Sequence, residues 1–317
     1  MRPIATFAWN AFVLGVALVC LATVFGFGGR WWWGFELACN FRVQYFWILL
    51  VGVAAFAARR KWRPAAAVAA LAGVNLALIA PLYWPVSAAP IKAHELRVVS
   101  LNVHARSTAY EQVIQFIRDV QPDVVLFVEV DRDWDQALTA LKDELPHSKS
   151  WPQDDSFGLA LYSRLPLVDT KFVPVGTFGI QAVTATVDVE GVPLHIIGGH
   201  PLPPVSPTYL AERNRQLSDL AVLAAKAGRP TILLGDFNVT SWSSFFGDLV
   251  RESNLRDSRE GFGVQASWPA DRWPLRIPID HCLVSPEIHI LDRRLGPNIG
   301  SDHLPVIVEL TMDREAG

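Results

Sequence analysis

Residues 299–310 read "IGSDHLPVIVEL", which sets Asp302 and His303 side by side between a Gly-Ser turn and an alternating apolar run. Six more polar residues stand at the ends of apolar runs: Asn102, Glu129 after "VVLFV", His200 after "HIIGG", Asp236 and Asn238 after "ILLG", and Asp280 before "HCLV". One Asp or Asn at a strand end is ordinarily a turn residue or a cap. A whole set of carboxylates, amides and imidazoles at strand ends points instead to strands that converge on one cleft.

Carboxylates such as Glu129, Asp236 and Asp302 suit a hard cation, Mg²⁺ or Mn²⁺, which favours oxygen ligands and retains several waters. Imidazoles beside it can shuttle protons or hydrogen-bond anionic oxygens at neutral pH. Together these groups describe metal-assisted attack of water on a phosphate ester. A serine hydrolase would need a G-x-S-x-G elbow, a zinc hydrolase an H-E-x-x-H helix, and a nucleotide kinase a G-x-x-x-x-G-K-[ST] loop; the sequence contains none of them.

The elements that must position these groups follow from periodicity. Strands are expected at 96–103, 123–128, 157–163, 182–189, 193–199 and 231–235, and later in "PIDHCLVS" and "LPVIVEL". Helices are expected at 109–121, around 207–227 and near 243–251. This alternation predicts a layered α/β or α+β domain around one core.

In order, "SLNV", "PDVVLFVEV", "GLALYSRLPL", "GGHPLPP", "LLGDFNVT", "IPIDHCLVS" and "GSDHLPV" resemble the endonuclease/exonuclease/phosphatase superfamily, over about residues 95–312. The ordered set is more specific than any one motif, and the stretch "SWPADRWPLRIPIDHCLVS" with the three preceding hydrophobic spans looks most like the membrane-anchored branch. The resemblance implies a four-layered sandwich of two β-sheets flanked by helices, with the site at the open end of the sheets. It implies metal-site roles for Asn102, Glu129 and Asp302, Glu129 being the direct ligand. Asp236 and Asn238 match the pair that orients or deprotonates the attacking water, and His200 and His303 the histidines that stabilise charge on the phosphoryl group. Asp280 matches the acid that fixes a catalytic histidine's tautomer. Arg164 is a candidate phosphate contact or a structural ion pair, and His281 and His195 are read as packing residues. Many family nucleases have Gln where this chain has Val128, and apurinic endonucleases often have an acid where it has His104. Both departures weigh against a repair nuclease.

The first third of the chain has a different character. Residues 5–27 carry no charge and are long enough to cross a hydrocarbon core of about 30 Å. Uncharged stretches follow at 43–58 and 65–84, so a single cleavable signal peptide is the poorer reading. Between them "RRKWR", residues 59–63, has the cation density of a short cytoplasmic loop, which would put everything after about residue 90 outside the cytoplasm. Residues 1–94 hold eight Lys and Arg against the lone acid Glu36, whereas the remaining 223 residues hold 20 basic and 30 acidic side chains. An acidic domain is a poor general clamp for nucleic acid. Only Cys282 of the three cysteines lies in that domain, so it has no internal disulfide.

The expected organisation is a membrane domain with three transmembrane helices (1–84), a linker (85–94) and a catalytic domain (95–317). The expected activity is that of a membrane-tethered phosphoesterase dependent on Mg²⁺ or Mn²⁺, with a lipid, small-molecule or nucleic-acid phosphate ester as substrate and the bilayer as its only other partner. The alternatives are an extracytoplasmic metal-dependent nuclease and a non-catalytic binding domain on a membrane anchor. A reporter that works only in the periplasm, fused after Gly317, should be active; signal only from a cytoplasmic reporter would reverse the orientation.

Overall fold

The computed structural model describes residues 2–85, 95–228 and 230–312. The expected linker, 85–94, lies outside these residues except for its first position. Four helices come first: α1 (Arg2–Phe25), α2 (Trp33–Ala38), α3 (Arg42–Ala58) and α4 (Trp62–Ile79). Then follow β1 (Glu95–Asn102), α5 (Tyr110–Val120), β2 (Val124–Val128), α6 (Arg132–Leu138), β3 (His147–Trp151), β4 (Leu159–Ser163), β5 (Val168–Pro174) and β6 (Gln181–Val189). The chain continues through β7 (Val192–Gly198), α7 (Pro207–Ala227), β8 (Thr231–Asp236), α8 (Ser244–Ser253), β9 (Arg256–Asp257), β10 (Asp280–Val284), β11 (Ile288–Leu295) and β12 (Val306–Met312).

The strands form two six-stranded sheets, ordered β11-β12-β1-β2-β4-β3 and β5-β6-β7-β8-β10-β9. Period-two alternation divides each central strand between two cores. Val98, Leu126, Leu161 and Val308 of the first sheet face Val183, Ile196, Leu234 and Cys282 of the second, making the inter-sheet core. The alternate residues Val99, Leu101, Val125 and Phe127 pack under α5 and α6 against Phe116 and Trp134. Leu233, Ile197 and Leu283 do the same under α7 and α8, against Leu217, Leu220 and Phe246. The result is a helix–sheet–sheet–helix sandwich of four layers.

Local signals start the helices where the sequence places them. Ser206 caps α7 by accepting from Tyr209 N at 3.2 Å, with Pro207 at the first helical position. Ser243 caps α8 through Phe245 N. Periodicity does not flag β3, β5, β9 or β11, and these are the four edge strands. Edge strands such as "HSKSW" and "VDTKFVP" bury little and carry polar or charged side chains that discourage pairing with other chains, so their apolar alternation is weak.

In the N-terminal part, three segments are long and apolar enough to cross a membrane: Ala5–Phe25, Trp33–Ala58 and Trp62–Tyr83. They pack side by side through Val16, Leu49, Phe56 and Val68. Arg42 Nη1 donates to Thr23 O at 2.7 Å and Asn75 Nδ2 to Thr23 Oγ1 at 3.0 Å, which levels the end of α1 with the start of α3 and the later part of α4. At the opposite end Arg59 lies 3.7 Å over the Trp9 ring, so the "RRKWR" turn is at the far end of the bundle from the sandwich.

The bundle and the sandwich are joined by buried polar contacts. Glu36 Oε1 accepts from Arg213 Nη2 at 2.8 Å and from Ser243 Oγ at 2.5 Å, and both charged side chains are almost fully buried. Thr240 Oγ1 donates to Asn40 Oδ1 at 2.9 Å, and Trp242 Nε1 to Leu78 O at 3.2 Å. Trp33 Nε1 donates to Pro204 O at 2.7 Å, and Gln44 Nε2 to Arg276 O at 2.8 Å. Removing one partner of a buried ion pair strands the other charge. Glu36→Ala should therefore destabilise the full chain by about 3–5 kcal/mol, read as a lowered melting temperature in detergent; an unchanged melt would show that the pair does not join the two parts.

Candidate active site

Strand direction explains why the candidate residues meet. β1 and β2 are parallel, with Asn102 opposite Val128, so Asn102 and Glu129 emerge at the same end. β12 runs antiparallel to β1, with Ser100 opposite Val306, which brings the start of β12, and Asp302 and His303 before it, to that end too. In the other sheet β7 and β8 are parallel, delivering His200 and Asp236, while antiparallel β10 begins with Asp280 directly opposite Asp236. Eight of the nine candidates thus gather at one end of the sandwich.

Asp236 is the hub. Its Oδ2 accepts from Asn102 Nδ2 at 3.2 Å and lies 3.5 Å from both His200 Nε2 and His303 Nε2, while its Oδ1 accepts from Asn238 N at 3.0 Å. Asn102 also donates to Glu129 Oε1 at 2.9 Å, and Asn238 Nδ2 donates to Pro201 O at 3.0 Å and lies 3.4 Å from His200 Nε2. His303 Nδ1 meets Asp280 Oδ2 at 2.9 Å, leaving Nε2 directed at Asp236. Glu129, Asn238 and His104 all adopt left-handed backbone conformations, with φ of 61°, 51° and 58°. Non-glycine residues enter this region at a cost, and such strain gathers at functional sites. Gly235 makes the close packing here feasible, because a Cβ on it would meet Gly199 O at 1.9 Å.

The electrostatics follow from burial and pairing. Burial disfavours a charged His303, but the carboxylates of Asp280 and Asp236 outweigh it and push the imidazole up to about 10. Burial also opposes charge on His200, which the hydrogen bond and charge of Asp236 override, raising its pKa. For Asp236 burial favours the neutral acid, yet the two histidines hold it down at about 2. Asp280 is raised by burial and by the nearby Asp236 charge. The site therefore keeps a carboxylate and an imidazolium in contact at neutral pH.

Glu129, which accepts from Asn102, and Asp302 lie on either side of His104. Asp302 Oδ2 accepts from Trp268 Nε1 at 3.0 Å, whereas its Oδ1 is shielded from solvent and accepts no hydrogen bond. His104 Nδ1 sits between the two acids, 3.2 Å from Asp302 Oδ1 and 3.9 Å from Glu129 Oε2, without hydrogen-bond alignment. Unsatisfied carboxylate oxygen beside a second carboxylate and an amide fits a hard divalent cation. Asp236, Asp280 and His303 also bring one donor atom each within 4.8 Å of one another, with His303 Nδ1 already paired to Asp280 Oδ2.

Arg164 is a correction. It follows β4 at the end where Val124 pairs with Ser163, the opposite end from Glu129, and it binds Asp123 at 3.3 Å and Gln121 O at 3.4 Å. It is a structural ion pair remote from the site. His281 lies between Phe237 and Phe246 and donates from Nε2 to Val239 O at 2.7 Å, and His195 on β7 pairs with Thr186 of β6, as packing residues do.

Sequence reasoning missed residues that hold the site from outside. Arg213 Nη1 donates to Asn238 O at 3.0 Å while Nη2 reaches Glu36, so an acid from the N-terminal helices supports the strained Asn238 backbone. The available signal was that Glu36 is the lone acid of the first 94 residues. Ser301 Oγ donates to Asn102 O at 2.7 Å and accepts from His303 N at 3.0 Å, tying the "GSDH" turn to β1.

Comparison with solved structures shows the same fold. A humanized TDP2 from D. rerio superposes with a TM-score of 0.59 at 17% identity, covering 69% of this chain and 99% of that one. An endonuclease/exonuclease/phosphatase from Beutenbergia cavernae gives 0.55 at 21%, covering 70% and 72%. Sphingomyelinase C from Streptomyces griseocarneus gives 0.52 at 20%, covering 68% and 99%. No curated protein matches the chain significantly in sequence. The family model matches residues 99–303, which take in every candidate residue described above, and the chain belongs to the endonuclease/exonuclease/phosphatase family.

Proposed function

We propose that the protein is a membrane-tethered phosphoesterase that uses Mg²⁺ or Mn²⁺ to hydrolyse a phosphate ester with activated water. The observation that carries this reading is the convergence of Asn102, Glu129 and Asp302 on one side of Asp236 with His200, Asn238, Asp280 and His303 on the other. Asn102, Glu129 and Asp302 are the residues that would hold the cation, whose chemistry is to neutralise charge on the phosphoryl oxygens. Asp236, ionised and shared by two imidazoles, orients the water and draws on its proton. Asn238 presents its amide beside His200, where it can hold a phosphoryl oxygen. His303, kept protonated and in one orientation by Asp280, donates from Nε2 to the phosphoryl oxygens as their charge grows. In the balanced step the water oxygen bonds to phosphorus, one ester P–O bond breaks, and the water's proton ends on the leaving alcohol.

The tether is the three apolar helices, and the extracytoplasmic side is the reading favoured by the cation-rich turn at the far end of the bundle. The catalytic end also faces the bundle. Pro204 follows His200, Thr240 follows Asn238, and the loop carrying Arg276 precedes Asp280; each of these segments is bonded to the ends of the apolar helices nearest the sandwich. This arrangement supports the reading that the site works at the membrane surface.

Glu129→Ala should abolish Mg²⁺-dependent hydrolysis of bis(p-nitrophenyl) phosphate by the full-length protein in detergent, a loss of several kcal/mol of transition-state stabilisation, on the order of 10³-fold or more. Retained activity in saturating Mg²⁺ would remove Glu129 from the metal site. Asp280→Ala should lower kcat by about 10²–10⁴-fold, the usual range for a positioned proton donor, with little change in KM. A change confined to KM would mean that Asp280 does not act through His303.

A further inference from the structure

A groove of ≈ 760 Å³ lies between the membrane helix α3 and residues 266–277, the loop before β10. Val43, Trp47 and Ile48 form its helix wall, and Ala266, Trp273 and Leu275 form its loop wall. Trp47 is 60% exposed, Trp273 77% and Leu275 51%, so large apolar side chains stand open to the surroundings on both walls. Gln44 closes one end by donating to Pro274 O at 3.2 Å and to Arg276 O at 2.8 Å.

The base of the same loop, apart from the wall residues themselves, reaches the active site. Trp268, two residues beyond Ala266, donates to Asp302 Oδ2 at 3.0 Å and holds its ring 6.2 Å from the His303 ring. Ala270 N donates to Asp302 O at 2.7 Å, and a bridge between Trp268 and Ile277 ties the two ends of the loop. One short segment thus meets the metal-side acid at its base and a membrane helix at its tip.

We propose that this groove takes a hydrocarbon chain of the substrate, and that the phosphate ester cleaved is a lipid drawn from the bilayer. This rests on the phosphoesterase reading and names its substrate class. Three observations select a lipid chain as the occupant. The helix wall is continuous with the outer surface of a segment long and apolar enough to cross a membrane, where lipid chains are the surrounding medium. The groove falls within the volume range of small-molecule sites, and its apolar walls suit a chain without polar groups. Arg276 lines the groove and donates to Pro269 O and Ala270 O, beside the Trp268 and Ala270 contacts to Asp302, which sets one cation between the apolar walls and the polar site, where an anionic headgroup would lie.

The test uses full-length protein in detergent with Mg²⁺ and three probes: dipalmitoyl phosphatidylglycerol, dihexanoyl phosphatidylglycerol, and chain-free bis(p-nitrophenyl) phosphate. The long-chain lipid should be cut with a higher kcat/KM than the short-chain one. Leu275→Asp and Trp47→Ala should each lower kcat/KM for the long-chain lipid by about tenfold, the worth of one buried large apolar side chain, and leave bis(p-nitrophenyl) phosphate turnover unchanged. A dipalmitoyl phosphatidylglycerol analogue with a diazirine at a chain end, added at one equivalent, should label the loop wall whether or not it is cleaved. Equal turnover of the two lipids, variants without effect on the long-chain one, or label spread over α1 and α4 would each overturn the proposal. So would unlabelled protein that is dimeric by mass photometry, which would give the groove to a second copy. Failure to cut bis(p-nitrophenyl) phosphate would instead overturn the phosphoesterase reading, with the labelling still deciding what fills the groove.

Discussion

A carboxylate removed from water must be compensated or it takes up a proton, and Asp236 is compensated from both sheets at once. Asn102 and His303 reach it from the first sheet, and His200 and the Asn238 amide from the second. Isolated ionised carboxylates are too costly to bury, so its charge demands these partners and their relative positions. The rest of the sandwich serves that demand. The parallel pairs β1–β2 and β7–β8 and the antiparallel β10 and β12 bring the donors to one end, and the inter-sheet core holds the sheets at the spacing that lets them meet.

The same end of the sandwich is seated on the apolar helices. Glu36 and Arg213 form a buried pair whose second function is to hold the Asn238 carbonyl, so anchoring and site geometry share one interaction. The loops at 200–206 and 266–277 are braced by Trp33 and Gln44 from the ends of the apolar helices.

Much of the domain was legible in the sequence because its central strands are buried on both faces and its helices are amphipathic. The patterns for β1, β2, β7, β8 and α7 match the observed elements within about two residues, the usual scatter of element boundaries. The four edge strands were not legible, since a strand exposed along one side has no reason to alternate cleanly. Arg164 failed for a related reason. Its motif neighbour "LALYS" was placed correctly as β4, but only pairing direction shows that β4 leaves the site as it proceeds, so the residue that follows it emerges at the wrong end.

The sequence by itself determined the three apolar segments long enough to cross a membrane, the α/β class and the identities of eight residues that meet at the site, because apolar length, periodicity and residue chemistry are local properties. Tertiary structure alone decided that Asp236 is the shared hub, that His104 stands between Glu129 and Asp302, that Glu36 supports Asn238 through Arg213, and that the catalytic end faces the helices. These depend on strand direction, on register and on contacts between residues as far apart as Glu36 and Arg213. No local pattern encodes such relations, which arise only when the sheets pack and buried charges find their partners.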